Sequence, residues 1–267
     1  MKFKLCDAKS LDIVKTFECG QCFRWNANDK GVYTGVVGRY LAEVETVDNE
    51  VYITSDAPAE MWADYFDLAT DYAAVSADFT GEYLHECIDY GMGIRILRQD
   101  SWEALCSFII SQCNNITRIK GIVERLCEQF GDKCEANGVS YYTFPSAERL
   151  AALRPSDLAG IRSGYRAEYI IAAARAVTQG ELDLDALKTC DYREAIKTLR
   201  QIRGVGEKVA NCVVLFGLYH MEAFPIDVWM KRALKEHFPA DFDPTSLGAY
   251  AGLAQQYIFY YARSGGK

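Results

Sequence analysis

The chain has no long apolar run: none of its 267 residues falls in a window that approaches a membrane-spanning segment, which excludes a helical membrane protein. The first residues, Met1-Lys2-Phe3-Lys4-Leu5-Cys6-Asp7, lack the apolar core and small-residue cleavage site of a secretory leader. An intracellular protein is therefore expected, cytoplasmic in a prokaryote and nuclear in a eukaryote. Repeats, low-complexity tracts and long linkers are also missing, which excludes solenoids and disordered arrays. Lys and Arg are absent from 41–90, where thirteen Asp or Glu give −13 against −8 for the whole chain, so the remainder carries +5. Residues 193–235 hold eight Lys or Arg against four acids. A basic face on an acidic body is compatible with nucleic acid and does not demand it.

What is present is ordinary in bulk and particular in pattern. Half of the residues are apolar and a quarter are charged, as in a globular protein. Several of the ten cysteines, Cys106 and Cys127 among them, lie in helical apolar patterns, as small buried hydrophobes do in a reducing compartment. Cys19-Gly20-Gln21-Cys22 has the spacing of a redox or metal pair. No second pair stands at zinc-ribbon spacing, and strand-like sequence follows it, unlike a thioredoxin site. No metal site is expected.

The β-branched and aromatic content of 31–41 and 50–54 predicts strands, with a turn at Asp48-Asn49. From about residue 62 the pattern is helical. Capping boxes are read at Asp100-x-x-Glu103 and Asp191-x-x-Glu194. Helices are predicted after Asp100, over 116–130 with Gly131 as its stop, from about Ser146, over 165–178 and over 247–263. The fold class is α+β: a small N-terminal antiparallel sheet domain (1–95, with a helical connection) and a larger all-helical domain (96–267).

The informative stretch is Leu199-Arg200-Gln201-Ile202-Arg203-Gly204-Val205-Gly206-Glu207-Lys208-Val209-Ala210-Asn211-Cys212. One helix ends at the two glycines, which permit a tight turn with positive φ, and another begins at once. The exposed N–H groups of the second helix suit a backbone phosphate, a contact that sets register without reading sequence. Lys208 stands in that helix's first turn. A cation is disfavoured there because the helix terminus is already partly positive, and the neutral amine is the nucleophilic form. From this hairpin alone, a lysine that merely pairs with phosphate is the commoner reading. Phe224-Pro225-Ile226-Asp227-Val228 follows an apolar helix; Asp227 taken singly is as well explained as an N-cap. Gln255 and Phe259 are i and i+4, so an amide and a ring share one helix face. Taken singly, they read as a solvated amide and a core ring; together they are what a flipped-base pocket needs.

Gly204-Val205-Gly206 with Lys208, then Pro225-Ile226-Asp227-Val228, resembles the helix-hairpin-helix glycosylase superfamily. Five further segments, Cys19–Trp25, Leu97–Asp100, Phe108–Ile116, Gly164–Ala167 and Ala251–Phe259, resemble its 8-oxoguanine DNA glycosylase branch, from about residue 19 to 260. The resemblance implies a base-excision repair enzyme that flips 8-oxoguanine from double-stranded DNA, opposite cytosine, and acts as a monomer. Lys208 would attack the sugar C1′, with Asp227 assisting, and β-elimination would nick the strand. Gly20 would offer its carbonyl to the N7 proton of 8-oxoguanine, and Cys212, as a thiolate beside protonated Lys208, would face the base with Gln255 and Phe259. Tyr165 would wedge into the stack; Arg118, Arg166, Asn114 and Asn115 would serve the opposite base and strand; Gly204, Gly206 and Trp229 would contact the backbone. Two positions depart from the branch: Cys113 replaces the first of three asparagines, and Trp229 replaces a phosphate-binding histidine. The lack of cysteine after Cys212 argues against the iron–sulfur branches. No cofactor is expected, save a structural cation held by hairpin carbonyls. A glycosylase for another oxidised base and a non-catalytic helix-hairpin-helix DNA-binding module remain open alternatives.

Overall fold

The computed structural model describes residues 1–136 and 138–264. Strand β1 (Lys2–Asp7) is followed by helix α1 (Ile13–Glu18), then β2 (Trp25–Ala27), β3 (Tyr33–Val37), β4 (Tyr40–Val47) and β5 (Glu50–Ser55). They form an antiparallel sheet in the order β1-β5-β4-β3-β2. Val44 opposite Ile53 fixes the register that turns Ala42, Val44, Val51 and Ile53 to one buried face. That face packs on Phe17 of α1 and on Trp25, Trp62 and Phe66, with Phe17 and Trp25 stacked at 4.3 Å. The β4–β5 turn uses Asp48 and Asn49 with φ of 50° and 63°, the left-handed pair that a two-residue hairpin requires.

Helices α2 (Ala59–Tyr65), α3 (Tyr72–Ala77) and α4 (Glu82–Gly91) lead into the larger layer: α5 (Ser101–Ser111), α6 (Ile116–Phe130), β6 (Lys133–Ala136), β7 (Val139–Tyr142), α7 (Ala147–Ala151), α8 (Arg166–Thr178), α9 (Leu184–Leu187), α10 (Tyr192–Leu199), α11 (Glu207–Phe216), α12 (Val228–His237) and α13 (Ala251–Ser264). The apolar faces of α3 and α4 (Tyr72, Leu84, Cys87, Ile88) belong to this helical core, not to the sheet core. Leu97 packs with the sheet core, so the chain crosses between the two cores more than once.

The expected all-helical second part is corrected by the β6–β7 hairpin. Its strands are four residues each, too short to show a period; the Asn137-Gly138 dipeptide was the missed signal. Both boxes are half formed. Asp100 accepts from Glu103 N at 2.8 Å and Asp191 from Arg193 N and Glu194 N. Glu103, however, turns to Arg24 at 3.6 Å and Glu194 to Lys197. Gly131 ends α6 in extended, not left-handed, backbone. A Cβ there would lie 2.0 Å from the Thr143 carbonyl, so close approach is what requires glycine. The last helix starts at Ala251, later than expected, because residues 244–250 form 3₁₀ turns interrupted at Gly248 (φ 73°, ψ −155°). No helix among the described residues is long and apolar enough to cross a membrane.

Candidate active site

A cleft between α11, the N-terminus of α12, α13 and the loop after α1 collects Gly20, Lys208, Cys212, Asp227, Gln255 and Phe259 around Phe108, Phe216 and Pro225. Positions more than two hundred residues apart thus meet in one place. Lys208 is half-buried in the first turn of α11, its Nζ 5.5 Å from the Phe108 ring centroid and 3.5 Å from Ser111 Oγ. That contact is long, so the amine is weakly held.

Asp227 is the N-cap of α12, as its sequence context allowed. Its Oδ1 accepts from Trp229 N at 3.0 Å and Met230 N at 2.9 Å. Among the described residues no donor reaches Oδ2, so capping fixes the carboxylate and leaves one oxygen for the cleft. Gln255 is 4% exposed; its Nε2 donates to the Pro225 carbonyl at 3.1 Å, while its Oε1 has no partner. A buried bare acceptor costs free energy until a ligand donates to it. The Gly20 carbonyl likewise receives no donor among the described residues. Gly20 itself needs to be glycine: its φ is +81°.

Cys212 lies one turn below Lys208. Burial pushes the thiol up, and the neighbouring Lys208, which pulls the other way, does not compensate. Accordingly, iodoacetamide at pH 8 should label exposed Cys113 first and Cys212 only on unfolding, read by peptide mass spectrometry; equal rates would support the thiolate. Burial also raises both thiols of the Cys19–Cys22 pair, Cys19 to about 11, and both are free, which suits core side chains rather than a redox pair.

A second cluster borders the hairpin. Gly204 has φ +87° and lies against the Tyr169 ring, which meets Tyr165 edge-on at 5.6 Å. Tyr165 is 52% exposed. Gly206 differs from expectation: it is extended (φ −85°, ψ 177°) with open space around it, serving as the N-cap of α11. Gln112, given no role from sequence, joins this cluster to α5. Its Nε2 donates to the Gly204 carbonyl at 3.0 Å.

Arg166 is 4% exposed, and its guanidinium donates to the carbonyls of Gln112, Cys113 and Ser163. In this conformation it braces the loop and does not reach outward to an opposite base. Asn115 caps α6 by accepting from Arg118 N at 2.9 Å, and Asn114 donates to the Ile110 carbonyl at 3.2 Å. Arg118 is exposed and has no partner among the described residues. Trp229 stands apart from the cleft, half-buried beneath Arg232 at 5.4 Å. Among the described residues no group of three or more His, Cys, Asp or Glu could hold a metal.

A family model described as the 8-oxoguanine DNA glycosylase N-terminal domain matches residues 4–105. A second, the HhH-GPD superfamily of base excision DNA repair proteins, matches residues 106–252, more than half of the chain. The chain belongs to the HhH-GPD superfamily. Among solved structures, this HhH-GPD protein is similar to MBOgg1 in complex with a low-affinity DNA ligand, at 39% identity and a TM-score of 0.92, covering 100% of this chain and 96% of that one. It is also similar to the Clostridium acetobutylicum 8-oxoguanine glycosylase/lyase bound to double-stranded DNA with cytosine opposite 8-oxoguanine. There the identity is 34% and the TM-score 0.90, with 100% and 99% coverage. The N-glycosylase/DNA lyase OGG1 of Arabidopsis thaliana is 28% identical over 93% of this chain and 76% of its own length.

Proposed function

We propose that this HhH-GPD protein excises 8-oxoguanine from duplex DNA, opposite cytosine, and then nicks the abasic strand. The observation that carries the reading is the cleft in which a weakly held amine, a bare carboxylate oxygen and two bare acceptors converge. Lys208 Nζ attacks C1′ of the flipped nucleotide. The C1′–N9 bond breaks, and the electron pair leaves with the base, which takes up a proton. The nitrogen loses its proton and the sugar ring opens to a Schiff base. Loss of a C2′ proton then expels the 3′ phosphate, and water later releases the lysine. The reaction needs no cofactor, because the amine supplies the nucleophile. Asp227 Oδ2, not used by the helix cap, accepts the ammonium proton or stabilises positive charge on the sugar. Gln255 Oε1 suits the N1–H and N2–H donors of a guanine edge. The Gly20 carbonyl suits the N7–H that distinguishes 8-oxoguanine from guanine.

Single-turnover excision from duplexes carrying 8-oxoguanine opposite each of the four bases, beside another oxidised base and 3-methyladenine, tests this reading. 8-Oxoguanine opposite cytosine should be removed fastest. Removal of another lesion in its place would overturn the substrate, and equal rates opposite all four bases would overturn the opposite-base assignment.

Asp227→Asn separates the two uses of this side chain. Asparagine caps a helix about as well as aspartate, so the melting temperature should move little. Excision should fall by roughly a hundredfold or more, as expected for loss of a general base or charge stabiliser. Excision at the wild-type rate would leave Asp227 as a cap alone.

A further inference from the structure

The loop that presents Gly20 is tied down residue by residue. Glu18 closes α1, and its carbonyl, an orphan acceptor at a helix end, takes a hydrogen bond from Arg263 Nη2. The Cys19 carbonyl accepts from Gln256 Nε2 at 3.3 Å, and the Gln21 carbonyl from Gln99 Nε2 at 2.8 Å. Lys120 Nζ holds Glu18 Oε1 at 2.9 Å and the Trp25 carbonyl at 2.8 Å. Fully buried Gln21 bonds the Thr16 and Arg95 carbonyls and Leu97 N. In the run Glu18 to Gln21, Gly20 alone keeps an uncommitted carbonyl among the described residues.

Arg263 reaches the opposite wall as well. It stands at i+4 from Phe259 on α13, and its guanidinium lies 5.6 Å from the Phe259 ring centroid. One planar group therefore covers the stacking ring and bonds the loop edge. A guanidinium can do both at once, donating in its plane and stacking by its face. The Phe259 ring is already close to Gly20: a Cβ built there would lie 3.5 Å from Cε1. Arg263 also sits in the last turn of α13, where the helix dipole favours a cation.

We propose that Arg263 is a positioning residue that sets the gap between the Gly20 carbonyl and the Phe259 ring, and so governs recognition of the damaged base without touching it. This rests on the reading of the cleft as an 8-oxoguanine pocket. A base enters the gap during excision, whereas a preformed abasic site has no base to place there. Loss of Arg263 therefore slows excision and spares the lyase step, a split that a general folding or DNA-binding role would not produce.

The test compares wild type, Arg263→Ala and Arg263→Gln at saturating enzyme, on one duplex with 8-oxoguanine opposite cytosine and one with an abasic site. Melting temperatures verify folding. Both variants should excise about tenfold more slowly, the scale of one lost hydrogen bond, and nick abasic DNA within about twofold of wild type. A parallel fall in the two activities, or no fall in excision, overturns the role of Arg263. Wild-type protein that nicks abasic DNA yet leaves 8-oxoguanine in place overturns the functional reading instead, and this inference with it.

Discussion

Lys208→Ala should abolish borohydride trapping on a lesion duplex and reduce excision by roughly a thousandfold or more, since the residual rate of a covalent catalyst without its nucleophile comes from binding and electrostatics alone. The stability cost should be small. The side chain is half-buried, its hydrogen bond to Ser111 Oγ is 3.5 Å long, and alanine is the better helix former. Lys208→Arg is the sharper comparison. Arginine keeps the positive charge and pairs readily with phosphate, but its guanidinium is not a nucleophile. If Lys208 only neutralised the DNA backbone, this variant would bind and act nearly as wild type. Loss of trapping and excision with DNA affinity retained assigns the nucleophile. Trapping that persists in both variants would show that another amine forms the Schiff base.

Gly204→Ala should be the most damaging substitution in the hairpin. A Cβ at Gly204 would stand 2.1 Å from Tyr169 Cγ, at φ +87°. Left-handed backbone costs a non-glycine residue about 1–2 kcal/mol, and overpacking adds about 1–3 kcal/mol. Near 3 kcal/mol in total, the melting temperature of a chain this size should fall by about 10 °C. The displaced Tyr169 ring would push on Tyr165, so DNA binding should weaken as well. Gly206→Ala is the control: the residue is extended with nothing within 4 Å of its Cβ, so stability should fall only by the cost of alanine at an N-cap, about 1 kcal/mol. Calorimetry of the two variants decides; equal shifts would mean that the Tyr169 contact does not limit the turn.

The parts of this protein legible in sequence are those set by short-range chemistry. Asp100, Ser146, Asp191 and Asp227 all accept backbone N–H groups two or three residues onward. An N-cap needs nothing beyond its own first turn. The α6 span was readable for the same reason: one apolar stripe from Ile119 to Leu126 and a glycine stop. The β6–β7 hairpin was not, because strands of four residues are stabilised by a partner and not by a period. Arg166 shows the other limit. Its neighbours in sequence point to an exposed wedge, and Tyr165 is exposed; yet the next residue turns inward to carbonyls more than fifty positions earlier.

The sequence by itself determined the α+β class, the helix-hairpin-helix lysine with its trailing aspartate, and the pairing of Gln255 with Phe259, since these depend on residue type and on spacings of a turn or two. Tertiary structure decided the rest. It brought Gly20 to a cleft built from α11, α12 and α13, left Asp227 with one free oxygen, pushed the Cys212 thiol up by burying it, tied Arg166 to its own loop, and set Arg263 between the loop and the ring. Each of these depends on which groups meet across long separations, and on how much water that meeting removes. Neither is encoded in the local period of the chain.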